Sequence, residues 1–381
     1  MSDNIRKIKL PKLITYYMNN ITVFGIGRLG LVLSLLMESK GYNVIGVDIF
    51  ENYVKLINDK ELNSDEPSVN DLLRLSKNFK ATIDIDEGIN HSDVLFIMVQ
   101  TPNSGGDKFY DHNVLSNLLI SINSKRVKEK QIIIGCTVMP GYIESIGKEL
   151  IKDCEGCTLS YNPEFIAQGD ILNGLLYADM VLLGTESEKL GDIVIELYER
   201  IMDTRPNVCI MSPTEAEIVK ISLNSYITTK IAFANTIGDL CKRYNCNQNV
   251  VLNAIGSDSR VGNKYFRYGY SYGGPCFPRD TLAFKQLLEQ NDVYSGILEG
   301  SYKSNEFHIK EQAKDYSEDI VMFENVCYKE NSKVAIIENS AKLKIAKELV
   351  RQGKKVIIKD IPSIIKEVQK EYGNMFEYVH K

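Results

Sequence analysis

The feature that most constrains this chain is Gly25-Ile-Gly-Arg-Leu-Gly30, which follows the β-branched run ITVFG (21–25) and opens a helical pattern ending at Gly41. The next apolar run, YNVIGVD (42–48), ends in Asp48, 18 residues beyond Gly30. A G-x-G-x-x-G run alone is weak evidence, but a strand before it, a helix after it and a carboxylate at the end of the next strand make it specific for a dinucleotide. Gly25 permits the tight turn, Gly27 lets the backbone approach a pyrophosphate, and Gly30 allows close helix–strand packing. The helix N-terminus offers unpaired N–H groups to the phosphates. Asp48 is placed to accept hydrogen bonds from the adenosine ribose and would repel a 2′-phosphate, so NAD is expected rather than NADP.

The same alternation continues through VLFIMVQ (94–100), QIIIGCTV (131–138) and MVLLG (180–184). Strands separated by helical crossovers predict an α/β fold with a Rossmann-like, doubly wound parallel sheet, and the apolar continuity of the strands predicts burial on both faces. With 381 residues and 44% hydrophobic content, the chain has enough material for two or three cores. Its 45 basic and 50 acidic residues give a net charge of -5 without a strongly basic block, which argues against a nucleic-acid partner. Residues 1–20 lack a secretory pattern, and no run reaches the roughly 20 apolar residues of a membrane span, so a cytoplasmic, non-membrane protein is expected. The close pair Cys154 and Cys157 has no second pair to complete a zinc site, and no metal is expected.

From Ser212 the pattern becomes helical for over 30 residues, with apolar groups at 218, 219, 221, 223, 227, 231, 233, 237 and 240. Ser212 or Thr214 suits the cap, Pro213 the first turn, and Glu215 and Glu217 the positive end of the dipole. At 1.5 Å per residue the helix would reach about 45 Å, long enough to join two domains and to present a face for homodimerisation. Helices are expected at 247–255, 279–291 and around 300–325. The end of the chain reads strand (333–338), helix (341–353), strand (354–360), helix (362–372). The expected domains are an N-terminal extension (1–20), an NAD-binding domain (21–211), a central helical and dimerisation domain (212–310) and a reduced C-terminal α/β domain (311–381).

The chemistry concentrates in GYSYGGPCFPRDT (269–281). Paired glycines give a backbone that a substrate can approach, and Pro275 and Pro278 fix the turn into the next helix. A thiol at a helix entrance has its thiolate favoured by the dipole, which suits Cys276 to nucleophilic attack. Asp280 follows about one turn later.

GGPCFPRD, the glycine motif, CTVMP (136–140), YNPEF (161–165) and VKISLN (219–224) together resemble, in order and spacing over residues 21–310, the UDP-glucose 6-dehydrogenase group of the UDP-glucose/GDP-mannose dehydrogenase family. The resemblance implies a four-electron oxidation of a sugar CH2OH to a carboxylate with two NAD, through a thiohemiacetal and then a thioester on Cys276. It implies that Lys220 and Asn224 stabilise oxyanion character, Asp280 shares a catalytic water with Lys220, Thr137 orients water and Glu164 serves as acid/base. It places Thr101, Thr137 and Arg279 beside the cofactor. It places Glu164, Phe165, Lys220, Asn224, Tyr265 and Gly273 at the nucleotide sugar, with Arg260 reaching into a partner subunit's site. NPEF leans toward UDP-glucose. A dehydrogenase of GDP-mannose or a UDP-N-acetyl sugar, and an inactive nucleotide-binding protein, are the other readings.

Three positions depart from the family pattern. Tyr53 stands where a Lys or Arg near the adenosine is usual. Gln168 replaces a second glutamate and cannot accept a proton. The C-terminal loop that carries the family's Phe-Lys and Arg-Glu-Ser contacts to the UDP phosphates is not found, so either Lys342, Lys344 or another basic side chain is expected to substitute, or the nucleotide is held mainly by 260–274 and the partner subunit.

Overall fold

A computed structural model describes residues 19–106, 108–329 and 334–381, so the extension before residue 19 lies outside the described residues. The chain forms two compact units, one of residues up to Ser104 and Tyr110–Lys220, the other of Gly105–Phe109 and Ile221–Lys381.

The first unit is built on eight strands: β1 (Asn20–Phe24), β2 (Asn43–Val47), β3 (Phe79–Thr82), β4 (Val94–Ile97), β5 (Gln131–Ile134), β6 (Thr158–Tyr161), β7 (Val181–Gly184) and β8 (Val208–Met211). Their order is β3-β2-β1-β4-β5-β6-β7-β8, parallel except where β6 meets β7. Because successive Cβ atoms alternate across a strand, Ile21 and Val23 enter one apolar layer and Phe24 the other. Helices Arg28–Ser39 and Glu188–Ile201 cover the first layer, and Asn113–Ser124 contributes Leu115, Leu119 and Ile122 to the second. Every residue of β4, β5 and β7 is buried, as strands covered on both faces require. The order reverses between β1 and β4, and in such sheets ligands bind outside the carboxyl ends of the strands at that reversal. The glycine motif sits there.

β3, β6 and β8 carry no clear sequence signal. They are four residues each, and β6 is half polar. Its buried Ser160 hydroxyl is satisfied by Thr185 Oγ1 at 2.8 Å, so tertiary hydrogen bonding permits a strand that hydropathy would not suggest.

The long helix runs Pro213–Arg243 and passes from the first unit into the second. At its start the Glu215 carboxylate reaches back to accept from the Ser212 N–H at 2.9 Å and from its hydroxyl at 2.8 Å. Helices Gln248–Gly256, Phe277–Gln290 and Gly296–Ala313 follow.

Two expectations fail at the C-terminal end. The segment expected to be helical up to 325 leaves the helix at Ala313 and forms β9 (Ile320–Glu324). Its alternating pattern, with Val321 and Phe323 buried, is a strand period. The strand expected at 333–338 does not form over 334–338; residue 333 lies outside the described residues. Val334 and Ile337 are buried, but the backbone there bonds to Tyr328 and Gly274 instead of to a sheet. The sheet therefore has three strands, all parallel in the order β11-β10-β9, with β10 at Lys355–Asp360 and β11 at Glu377–His380. Helices Ala341–Arg351 and Pro362–Tyr372 close its core through Leu343, Leu349, Ile365 and Val368. Among the described residues no helix is long and apolar enough to cross a membrane.

Candidate active site

The glycine motif is shaped by backbone collisions. Gly25 has φ +85°, and a Cβ there would stand 2.8 Å from the Val99 nitrogen. A Cβ on Gly30 would come within 2.0 Å of the Gly25 carbonyl oxygen, so only glycine lets the helix begin so close to the strand. Above Gly27 nothing lies within 4 Å. The helix starting at Arg28 has no side-chain cap, which leaves its first N–H groups available to an anion. Asp48 accepts from the Ile26 N–H at 3.2 Å and the Phe50 N–H at 3.3 Å, fixing its carboxylate beside the turn. Tyr53 donates its hydroxyl to the Ile26 carbonyl at 2.9 Å, and burial, then the Asp48 charge, pushes its pKa up to about 12. Where the family pattern has a cation, this chain has a neutral brace under the turn. The set fits NAD: Gly27 and the helix N-terminus would hold the pyrophosphate, and Asp48 the ribose.

Thr101, after β4, donates to the carbonyl of Thr137 at 2.8 Å, so these two residues are brought together. The turn after CTVMP is pinned by Glu217, fully buried on the long helix, which accepts from the N–H groups of Gly141 at 2.6 Å and Ile143 at 3.0 Å. Burial pushes the Glu217 carboxyl up to about 7 against the downward pull of those two bonds. The sequence reading assigned Glu217 only to the helix dipole; a carboxylate followed by the apolar pair 218–219 was the available hint. Glu66, 2% exposed, does the same for the loop after Phe165, accepting from Gly169 at 2.8 Å and Ile171 at 3.0 Å. Nothing in its sequence surroundings announced this.

Glu164, Phe165 and Lys220 form one cluster. Lys220 is 7% exposed, donates to the Glu164 backbone carbonyl at 2.5 Å and lies 4.4 Å from the centre of the Phe165 ring. A solvated surface lysine is excluded. The Glu164 carboxyl accepts from the Tyr198 hydroxyl at 2.6 Å. Its pKa is raised, burial outweighing the Tyr198 bond and the Lys220 charge, which suits an acid/base role. Tyr198 was not foreseen from sequence.

In the second unit Cys276 is exposed and occupies the N-cap position of the helix Phe277–Gln290, with Pro278 in the first turn. The Asp280 N–H closes that turn on the Cys276 carbonyl at 2.8 Å. Asp280 is 1% exposed and accepts from the Asn224 amide at 2.6 Å. Lys220 and Asn224 stand one turn apart on the long helix. Tyr265, in the left-handed region at φ +59°, sets its ring edge-on to Phe277, 6.2 Å between centroids. Arg279 is half-buried in the helix's first turn.

Gly273 and Gly274 have a different reason from the one expected. A Cβ on Gly273 would lie 2.1 Å from the Asn339 carbonyl oxygen, and Gly274 donates to the Glu338 carbonyl at 3.1 Å. The chain's own backbone makes the close approach. Arg260 is held on its own loop by Asp258 at 2.7 Å. Of the candidate phosphate lysines, Lys344 is paired with Glu306 at 2.9 Å. Lys342 donates to the Glu324 and Asn325 carbonyls and sits 5.6 Å from the Tyr270 ring centre, which keeps its charge beside the 269–276 loop.

Comparison with known proteins agrees with this architecture. UDP-glucose 6-dehydrogenase of Rickettsia bellii is 29% identical over 292 residues, covering 75% of this chain and 66% of that protein. GDP-mannose 6-dehydrogenase of Pseudomonas aeruginosa is also 29% identical, covering 75% of this chain and 68% of its own length. The chain thus spans slightly less than two thirds of the Rickettsia protein. Among solved structures, a UDP-glucose dehydrogenase from Pyrobaculum islandicum shares the fold over 98% of this chain and 88% of its own (TM-score 0.85, 24% identity). A UDP-D-ManNAc dehydrogenase from Pyrococcus horikoshii covers 90% of this chain and 83% of its own (TM-score 0.76, 25% identity). The NAD binding domain of one family matches residues 19–202 and the central domain of the same family matches 214–307. With its NAD binding and central domains present in order, the chain belongs to the UDP-glucose/GDP-mannose dehydrogenase family.

Proposed function

We propose that the protein oxidises the primary alcohol of a nucleotide sugar to the carboxylate, with UDP-glucose as substrate and UDP-glucuronate as product. The observation that carries this reading is Cys276, exposed at a helix N-cap with Asp280 and Asn224 hydrogen-bonded in the turn behind it. Bound NAD supplies the hydride acceptor, once for each of the two oxidations. The Cys276 sulfur adds to the aldehyde carbon, forming a C–S bond while the carbonyl oxygen takes a proton. Loss of a second hydride and of the hydroxyl proton converts this thiohemiacetal to a thioester, water attacks the carbonyl, and the C–S bond breaks to return the thiol. Lys220 and Asn224 stabilise the negative oxygen in these steps, as fixed donors do at an acyl centre. Glu164, with its raised pKa, exchanges protons with the sugar hydroxyl and the water. In this reading Thr137 and Asp280 orient that water, Phe165 and Tyr265 bind the sugar nucleotide, and Arg279 and Thr101 serve the cofactor.

The equal identity of the GDP-mannose 6-dehydrogenase relative supports a second reading, in which the same chemistry acts on GDP-mannose. A panel of UDP-glucose, GDP-mannose and UDP-N-acetylmannosamine followed by NADH absorbance separates the two. Two NADH per sugar with UDP-glucose is the expected result. One NADH per sugar, or preference for another donor, would sink the assignment.

A homodimer formed by a second copy of this chain is part of the proposal. Tyr226, Phe233 and Leu240 recur every seven residues on the long helix and are 62%, 54% and 53% exposed, an apolar stripe suited to pairing with itself. Phe233→Glu is expected to convert the dimer to monomer in sedimentation velocity at micromolar concentration. An unchanged sedimentation coefficient would place the interface elsewhere.

A further inference from the structure

The helix Gly296–Ala313 has no part in the chemistry above, yet two of its buried polar side chains face the loop leading to Cys276. Asn305 and His308, each 2% exposed, are three residues apart and share a helix face. Asn305 accepts from the Tyr272 N–H at 2.8 Å and donates to the Tyr272 carbonyl at 3.0 Å, the pair of bonds a neighbouring β-strand would make. His308 places Nε2 2.8 Å from the Gly269 carbonyl and Nδ1 2.7 Å from the Asp239 carboxylate on the long helix. Asp239 is oriented in turn by the Tyr268 hydroxyl at 3.0 Å. Gln312, a turn beyond His308, donates to the same Gly269 carbonyl at 3.3 Å.

Residues 269–273 belong to no helix or strand, so their buried backbone groups must find side-chain partners. Asn305 and His308 supply them at two points, and just beyond, the Gly274 N–H bonds to the backbone carbonyl of Glu338. We infer that Asn305 and His308 are positioning residues for the nucleophile. They fix the loop that leads to the thiol, and through it the distance between sulfur and sugar. The inference rests on the reading of Cys276 as nucleophile. A misplacement of about 1 Å at such a centre costs on the order of a hundredfold in rate, so a loosened loop would register in turnover.

The test uses N305A, N305D and H308Q in the full chain. Three readouts apply: hydrogen exchange of peptides covering 266–277, the rate of Cys276 alkylation by iodoacetamide located by peptide mass, and kcat and KM with UDP-glucose and NAD. In N305A the loop peptides are expected to exchange about tenfold faster while β1 and its following helix are unchanged. Cys276 alkylation is expected to change, and kcat to fall about tenfold to a hundredfold with the KM for NAD unaltered. N305D keeps an acceptor for the Tyr272 N–H and should lose less than N305A. If N305A does not fold, H308Q carries the test, since a glutamine keeps one donor for the Gly269 carbonyl. Loop exchange, alkylation and kcat all at wild-type values would overturn the inference, as would faster exchange without any change in alkylation or kcat. Alkylation is read without substrate, so a failure of the covalent mechanism itself would appear separately, in an active Cys276→Ser enzyme.

Discussion

Cys276→Ser is expected to lower formation of the sugar acid by about a thousandfold or more, with NAD binding unchanged. Serine at this N-cap would keep the helix, because hydroxyl side chains are favoured caps and the position is exposed. The loss would therefore report chemistry and not folding. A serine hydroxyl ionises far less readily than a thiol, and an oxygen ester lacks the reactivity of a thioester toward water. The check is acid production by mass spectrometry together with NADH released per sugar. Repeated turnover to the acid at near-normal rate would rule out the covalent scheme.

The second large effect lies in the cofactor loop. Gly30→Ala sets a methyl group 2.0 Å from the Gly25 carbonyl oxygen, an overlap that only a backbone shift can relieve. Overpacking of this kind costs about 1–3 kcal/mol of stability. Because the displaced atoms are the turn that receives the pyrophosphate, NAD affinity should fall by roughly a hundredfold. Gly27→Ala is the informative control. Nothing lies within 4 Å of its added Cβ, so folding should be untouched, while the methyl group enters the space a phosphate would use. The chain has no tryptophan, so calorimetric titration with NAD and thermal unfolding are the suitable readouts. Equal NAD affinity in Gly27→Ala and wild type would contradict the assignment of the phosphate site.

Elements written in local sequence were legible. The G-x-G-x-x-G turn depends on glycine at fixed neighbouring positions, and Asp48 stands directly after the next strand, its carboxylate bonded to the Ile26 N–H of the turn. The long helix was readable from its apolar spacing to within a residue of its start, whereas the helix after Cys276 begins at Phe277, two residues before the expected 279, with Pro278 inside its first turn. β3 and β6 were missed because half of each is polar, whereas β4, β5 and β7, equally four residues long, are mostly apolar; β8 was missed although its four residues are apolar. The misplaced strand at 333–338 shows a related ambiguity: an apolar β-branched run signals a buried extended segment, whether or not a ladder forms beside it.

The sequence alone therefore determined the sheet class, the dinucleotide turn and the order of the family's motifs, because each depends on residues a few positions apart. Only the tertiary structure decided what holds them. Glu217 reaches Gly141 across 76 positions, Glu66 reaches Gly169 across 103, and Gly273 is required by the backbone of Asn339. Such bonds are selected by the burial of a polar group that must find a partner wherever the fold brings one, and no local pattern encodes that meeting.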